Sequence, residues 1–446
     1  MHTSTSSKLI GELQIWAPLC TLLGIVVGSA VALFLWLLDL VTRLHWGHQW
    51  LLFLLPITGL ISGLLYHFYG SSSARGNDLI IDELLSPRDG VPAAMAPLVL
   101  TGTLLTHLAG GSAGREGTAV QMGGSLAALL SRTLQLSPRR LRVMLSCGVA
   151  SGFAAVFGTP LAGTLFALEM PGIGALRLSA LVPCLASALI ADAVTTAWGI
   201  PHTHYMITGG GGGTSVLLQI AVAGVCFGLA GRLFAVASQS VHAVVTRSIR
   251  IAWLRPCCGG ICIILMTLLA GHNHVLGLGV EANPATRDAV CIVSSFEQDG
   301  ANPFSWLGKL IFTAITIGSG FKGGEVTPLF YVGATLGNVL SGPLQIAPDV
   351  LAGIGFVAVF AAATNTPLAS TLMGFELFLP NSPDLAATGF LPQLSVGCSV
   401  AWLCSGPAGI YRAQRTFAGK WPEMLEDQNS GDSSEFAPES DHNRQL

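Results

Sequence analysis

The stretch FAAVFGTPLAGTLFALE, residues 153–169, is answered by FAAATNTPLASTLMGFE, residues 360–376. Ten of the seventeen paired positions are identical at a constant offset of 207, including Pro160 with Pro367 and Glu169 with Glu376. A weaker echo at offset 210 sets GREGTAVQMGGSLAALLS, from Gly114, against GEVTPLFYVGATLGNVLS, from Gly324. The chain therefore reads as two related halves, residues 1–210 and 211–420, followed by an acidic, polar tail over 421–446 that is expected to be disordered.

Composition says what those halves are immersed in. Only 10% of the 446 residues are charged and 51% are hydrophobic, with a mean hydropathy of +0.63, whereas soluble proteins carry about 25% charge. So few ionic groups do not cover a water-facing surface of this size, which excludes a cytosolic or secreted enzyme. Apolar runs at 18–42, 51–69, 94–110, 177–198, 215–242, 251–270 and 384–404 approach or exceed the length of a bilayer span, which needs about 20 residues. Other runs, such as 116–131, 140–157 and 349–363, are shorter or broken by glycine and proline. Helices that stop at membrane depth are tolerated only where protein or a polar cavity surrounds their ends. The long runs argue against an alternating outer-membrane barrel. The fold class expected is all-α: a polytopic membrane protein built as an inverted repeat of broken and tilted helices.

Charge placement gives orientation. Arg132, Arg139, Arg140 and Arg142 form one basic group, Arg247, Arg250 and Arg255 a second, and Arg412, Arg415 and Lys420 a third. These should share the cytoplasmic side, with both termini, in a multi-pass protein of the cell inner membrane. The loops at 199–214 and 271–304 carry one basic residue between them, Arg287, and should face outward. A net charge of −3 gives a nucleic-acid partner no support. The ten cysteines lie mostly in apolar runs and read as small buried hydrophobes. His202 and His204 make a weak metal signature, so no metal or cofactor is expected, and no nucleophile–base pair suggests an enzyme.

Chemistry concentrates at three glycine-bearing helix starts. GGSAGREGTAVQMGG, residues 110–124, crowds glycines before a helix that should begin near Gly117. GFKGGEVTP, residues 320–328, repeats the logic and places Pro328 in a first turn. Gly76-Asn77-Asp78 precedes LIIDELL, with Asn and Asp as candidate N-caps. Unpaired N–H groups and the positive end of the helix dipole make such starts anion sites. Three of them converging would hold an anion without a fixed positive side chain, and so could release it. Glu116 stands at one of these starts within an apolar run, where an ionisable group signals function. Its carboxylate would occupy the anion's place when charged and could leave when protonated. One residue could then act as competitor, gate and proton carrier. The plainer alternative is a helix-capping glutamate paired with Arg115.

GREGT from Gly114, with FGTPLAGTLFALE downstream, resembles the CLC family of anion channels and proton-coupled exchangers. The chain departs from the common CLC pattern of GSGIP, GREGP and GxFxP, with GNDLI from Gly76, GREGT from Gly114 and GGEVTP from Gly323. Those variants look like the bacterial fluoride/proton antiporter branch of the family, and the resemblance spans about residues 10–420. It implies a homodimer in the lipid bilayer with one pore per subunit, transporting fluoride and protons. By motif position, Glu116 would be the gating glutamate and proton carrier. Asn77 would replace the pore serine. Gly114, Arg115, Gly117, Glu325, Val326 and Thr327 would line the anion path, together with a pore tyrosine at Tyr411. Aligned without gaps on Pro407, Gly409 would take that tyrosine's place, and Tyr411 would then be an interfacial anchor. Chloride exchangers of the family carry a second glutamate after the LFxxE stretch, where this chain has Met170 following Glu169. The implied activity is fluoride export against proton entry. A chloride/proton exchanger and a passive anion channel of the same fold remain open.

Overall fold

In a computed structural model of the chain, residues 2–416 are described except 89, 175, 177, 204, 209–212, 284–288 and 383–388. The tail at 421–446, His204, Arg287 and Lys420 lie outside the described residues. The helices before residue 210 are α1 (His2–Gly47), α2 (Leu55–Tyr69), α3 (Asn77–Leu85), α4 (Met95–Leu108), α5 (Glu116–Thr133), α6 (Pro138–Phe157), α7 (Pro160–Glu169) and α8 (Leu181–Ala197). Those after it are α9 (Thr214–Ser248), α10 (Arg255–Ala270), α11 (Ser305–Gly318), α12 (Val326–Leu344), α13 (Pro348–Thr364), α14 (Pro367–Phe378) and α15 (Phe390–Cys404). Among the described residues, strand pairing is confined to β1 (Gly172–Ile173), parallel to β2 (Arg415–Thr416), and one isolated bridge.

Six helical segments, within α1, the α2, α6, α8 and α10 regions and α9, are long and apolar enough to cross a bilayer. Their outer faces carry side chains such as Leu189, Leu218 and Leu269, the last 88% exposed, which suit lipid tails rather than water. The central helices are enclosed instead. Every residue of α13 from Asp349 to Thr364 is buried, and that enclosure explains why α13 is apolar on all sides.

The repeat has a physical signature in how its parts touch. A Cβ on Gly123 of α5 would stand 2.0 Å from the Gly148 carbonyl oxygen of α6, and one on Gly148 would stand 2.3 Å from the Gly123 oxygen. Gly333 of α12 and Gly355 of α13 repeat this contact at 2.0 and 2.2 Å. In both halves glycine lets the backbones cross closely, as membrane helices require when packing must substitute for the hydrophobic effect. Both α6 and α13 end on a left-handed residue, Gly158 (φ 72°) and Asn365 (φ 59°), and a proline at the first position then restarts the chain as α7 or α14.

The two glutamates shared by the repeats cap one another's helices. Glu169, ending α7, accepts bonds from the Leu368 and Ala369 amides at the start of α14, at 3.2 and 2.9 Å. Glu376 on α14 accepts from the Leu161 and Ala162 amides at the start of α7, at 2.9 and 2.7 Å. Each contact maps onto the other under the offset of 207. Reciprocity of this kind is what a two-fold axis between two copies of one motif produces.

Candidate ion-binding site

The same reciprocity marks the isolated bridge, where Gly114 and Gly324 pair antiparallel. Gly114 N–H donates to the Gly324 carbonyl at 2.6 Å and Gly324 N–H to the Gly114 carbonyl at 2.7 Å. These are the residues aligned by the offset of 210. The bridge brings the starts of α5 and α12 together. A Cβ on Gly324 would lie 3.1, 3.0 and 2.9 Å from the backbone nitrogens of Arg115, Glu116 and Gly117, so three successive amides gather at one point.

Glu116 fills the place those helix starts create. Helix α5 begins at Glu116 itself, one residue before the position expected, with Arg115 as its N-cap residue. The side chain is 1% exposed. Its Oε2 accepts from the Arg115 amide at 3.0 Å and from the Thr327 amide at 3.1 Å, and Oε1 accepts from the Thr327 hydroxyl. The Arg115 guanidinium stands 3.8 Å away and is 21% exposed. A buried carboxylate pays a desolvation cost of several kcal/mol. Each charge-assisted hydrogen bond returns about 1.5–3 kcal/mol, so donors from both repeats are needed to hold the charge. The same donors would suit any small anion.

The remaining sequence-selected residues fall around this point. Val326, 3% exposed, and Thr327, 2% exposed, open α12. Gly114 lies against the carboxylate, for a Cβ there would stand 2.6 Å from Glu116 Oε2. Gly117 faces Asn77, whose Nδ2 would be 3.3 Å from a Cβ at Gly117. Asn77 and Asp78 do not cap α3 as expected. Gly76 (φ 57°) takes the cap position, Asn77 is the first helical residue, and no side-chain cap bond forms. Asp78 instead accepts the Ala413 amide at 3.2 Å. Asn77 Oδ1 is buried without a hydrogen-bond partner among the described residues. Glu325 is the N-cap residue of α12 but likewise makes no side-chain cap bond. It shares an electrostatic neighbourhood with Asp78 and Arg412.

Tyr411 is buried, 6% exposed, within electrostatic range of Glu325, Asp78 and Glu116. The anchor reading therefore gives way to an internal position. The segment that carries it is pinned on both sides. Ile410 N–H donates to the Ala363 carbonyl at 2.8 Å, Gln239 donates to the Gly409 carbonyl at 2.7 Å, and Gln414 donates to the Thr364 and Met170 carbonyls at 2.7 and 2.9 Å. Gly409 packs on Asn365, whose Nδ2 would stand 2.6 Å from a Cβ there. Other polar residues have quieter places. Lys322 lies 4.0 Å over the Tyr66 ring, and His107 is buried with Nε2 3.4 Å from the Gly114 carbonyl.

Sequence reasoning missed Arg412 as a site neighbour, counting it only among the basic residues that set orientation. It also missed the space above Glu116. A chamber of about 20 Å³ is lined by Glu116, Thr327, Phe157, Tyr205 and His202, among others. It borders a cavity of about 480 Å³ lined by the end of α1, by residues between 273 and 283, and by Ala289 and Val290. Both are lined by Arg115, His202, Thr203 and Val280.

With this geometry in place, the comparisons are direct. The family described as voltage gated chloride channel matches residues 58–389. The chain belongs to that family. Among relatives of this voltage gated chloride channel member, the "Chloride/fluoride channel protein" of Pseudomonas syringae pv. tomato (strain ATCC BAA-871 / DC3000) is 46% identical, over 96% of this chain and 92% of the relative. The "Putative chloride channel protein ClcB-like" of Ralstonia nicotianae (strain ATCC BAA-1114 / GMI1000) is 28% identical over 74% of this chain and 78% of its own. Among solved structures, one described as a CLC-type fluoride/proton antiporter superposes with a TM-score of 0.84 at 33% identity, covering 91% of this chain and 99% of that one. A slow cyanobacterial Cl-/H+ antiporter superposes at 0.72 with 19% identity, over 94% of this chain and 98% of that one, which shows the shared fold. Membership together with the apolar helices makes this a multi-pass membrane protein, and the all-α inverted-repeat architecture expected from the sequence is the one found.

Proposed function

We propose that the chain is a fluoride/proton antiporter that exports fluoride and admits protons, with Glu116 as gate and proton carrier. One observation carries this reading: the Glu116 carboxylate sits on donors supplied by two helix starts and the Thr327 hydroxyl, a seat that fits a small hard anion equally well. The carboxylate and fluoride then exclude one another, and protonation frees the seat. Fluoride loses tightly held water on entry. Short, strong bonds from the Thr327 hydroxyl, the Asn77 amide and backbone N–H groups would offset that cost. Gly114, Arg115, Gly117 and Val326 shape the seat, while Glu325 and Tyr411 border the path beyond it. The names of the 46% identical relative and of the 33% identical structure support fluoride as the ion.

In this reading residues 1–210 and 211–420 are the two repeats, and each subunit of a homodimer carries its own pore. The protein lies in the inner membrane with both termini cytoplasmic, and the large cavity faces outward. It has no catalytic chemistry of the enzyme kind.

The test is proton movement in proteoliposomes under a fluoride gradient. The wild type should drive protons uphill, and Glu116→Ala and Glu116→Gln should abolish that coupling. Unchanged proton pumping in both variants would refute the carrier role. Fluoride flux without any proton movement in the wild type would make the protein a passive channel, and a chloride-driven proton flux equal to the fluoride-driven one would make it a general halide exchanger.

A further inference from the structure

The mechanism so far gives Glu116 its proton without saying how it arrives from outside. The chamber over the carboxylate is small, about 20 Å³, which is room for one water. It is walled by aromatic side chains, Phe157, Tyr205, Phe330 and Phe356 among them, so a wide column of water does not reach the carboxylate there. The larger cavity beyond is of mixed lining and carries several titratable side chains. His45, His107, His202 and His274 line it, together with Arg115 and the acids Asp39 and Glu281.

Of those four histidines, His202 alone also lines the chamber. Its ring lies over the left-handed turn that ends α6, where a Cβ on Gly158 would meet its Cδ2 at 2.9 Å. The other polar residues of the chamber do not substitute. A guanidinium keeps its proton at ordinary pH, and the Thr203 and Tyr205 hydroxyls can hand a proton on but do not hold one in reserve. Imidazole titrates near neutrality, where proton delivery must run in both directions.

We propose that His202 passes protons between the large cavity and the Glu116 carboxylate through a single water in the chamber. The protonated ring gives its N–H proton to the water, and the water gives one of its own to a Glu116 oxygen. The carboxylate becomes a carboxylic acid, and the neutral ring takes a proton from water in the large cavity. The groups facing His202 are Glu116, Arg115 and Tyr205 on the chamber side. On the cavity side they are His45, His107, His274, Glu281 and the Asp39–Arg43 pair, 2.9 Å apart.

The proposal rests on the antiporter reading, and the experiment separates the two. Fluoride-driven proton flux is measured in proteoliposomes for wild type, His202→Ala and His202→Gln, with Glu116→Ala as the uncoupled control. Both His202 variants should slow proton flux roughly tenfold or more, and free histidine added outside should restore much of the rate while glycine does not. His202→Gln keeps a polar side chain of similar reach in case His202→Ala does not fold. Wild-type rates in a folded variant overturn the relay, as does a slow rate that external histidine leaves unchanged, since the ring is then structural. A wild type that moves no protons overturns the antiporter reading and the relay together.

Discussion

Gly114 offers a way to evict the Glu116 carboxylate without touching it. A methyl group at Gly114 would stand 2.6 Å from Oε2, against 3.4 Å for ordinary contact, so the oxygen must retreat by about 0.8 Å. The side-chain end yields more readily than the backbone of the bridge, although Pro328 Cδ at 3.0 Å and the Gly324 carbonyl at 3.1 Å also crowd the methyl. Retreat breaks the two amide bonds to Oε2, at 3.0 and 3.1 Å. Each is worth about 1.5–3 kcal/mol to a charged acceptor. A loss of about 3 kcal/mol lowers occupancy of the seat roughly a hundredfold. A single-atom anion tolerates the methyl better than a carboxylate does. Gly114→Ala should therefore raise fluoride flux per proton, moving the protein from exchanger toward leak. The assay follows fluoride with an ion-selective electrode and protons with a pH electrode in the same proteoliposomes. The decisive control is Gly114→Ala combined with Glu116→Ala, which should match Glu116→Ala alone, because the methyl acts through the carboxylate. A further change in the double variant, or wild-type coupling in Gly114→Ala, would refute the reasoning.

Other outcomes follow from the same geometry. Asn77→Ser halves the amide's donors beside Gly117 and should relax discrimination against chloride; equal fluoride-to-chloride flux ratios in variant and wild type would defeat the idea. Tyr411→Phe should weaken fluoride binding about threefold to tenfold, near 1 kcal/mol for one hydroxyl, with coupling kept, as read by calorimetry on purified protein; an unchanged affinity removes the hydroxyl from the path. Glu169→Ala and Glu376→Ala each strip two helix-start amides of their acceptor and should destabilise the fold by similar amounts, about 2–3 kcal/mol. Thermal unfolding in detergent would show this, and a large difference between the two would break the symmetry argument.

The membrane class, the repeat and the place of Glu116 at a helix start were legible in the sequence because each is a local or self-similar pattern: scarce charge, a 207-residue echo, and glycines before a helix. What stayed hidden is fixed by contacts between distant segments. The shared glutamates announced a common role, but only the packed structure shows that each caps the other's helix. Tyr411 and Gly409 competed for one position until Gln239 and Asn365 fixed the segment between them. Asn77 has the composition of a cap, yet Gly76 takes that place because the turn needs a positive φ. His202 lies in an unpatterned loop, and its importance comes only from the two cavities that meet at it.

The symmetry also shows where the two halves part company. The offset of 210 maps Arg115 onto Glu325, Glu116 onto Val326, and Gly117 onto Thr327. The scaffold repeats while its chemistry does not. One half supplies the carboxylate and the other the hydroxyl that holds it. Had both halves carried a glutamate at the seat, two like charges would compete for one set of donors, and neither the closed nor the open state would be favoured cleanly. The residue before the seat differs between the copies as well. Arg115 lines the large cavity, and its counterpart Glu325 stands with Asp78 and Arg412. An inverted repeat thus lets a single substitution between copies make the two sides of one seat chemically unlike.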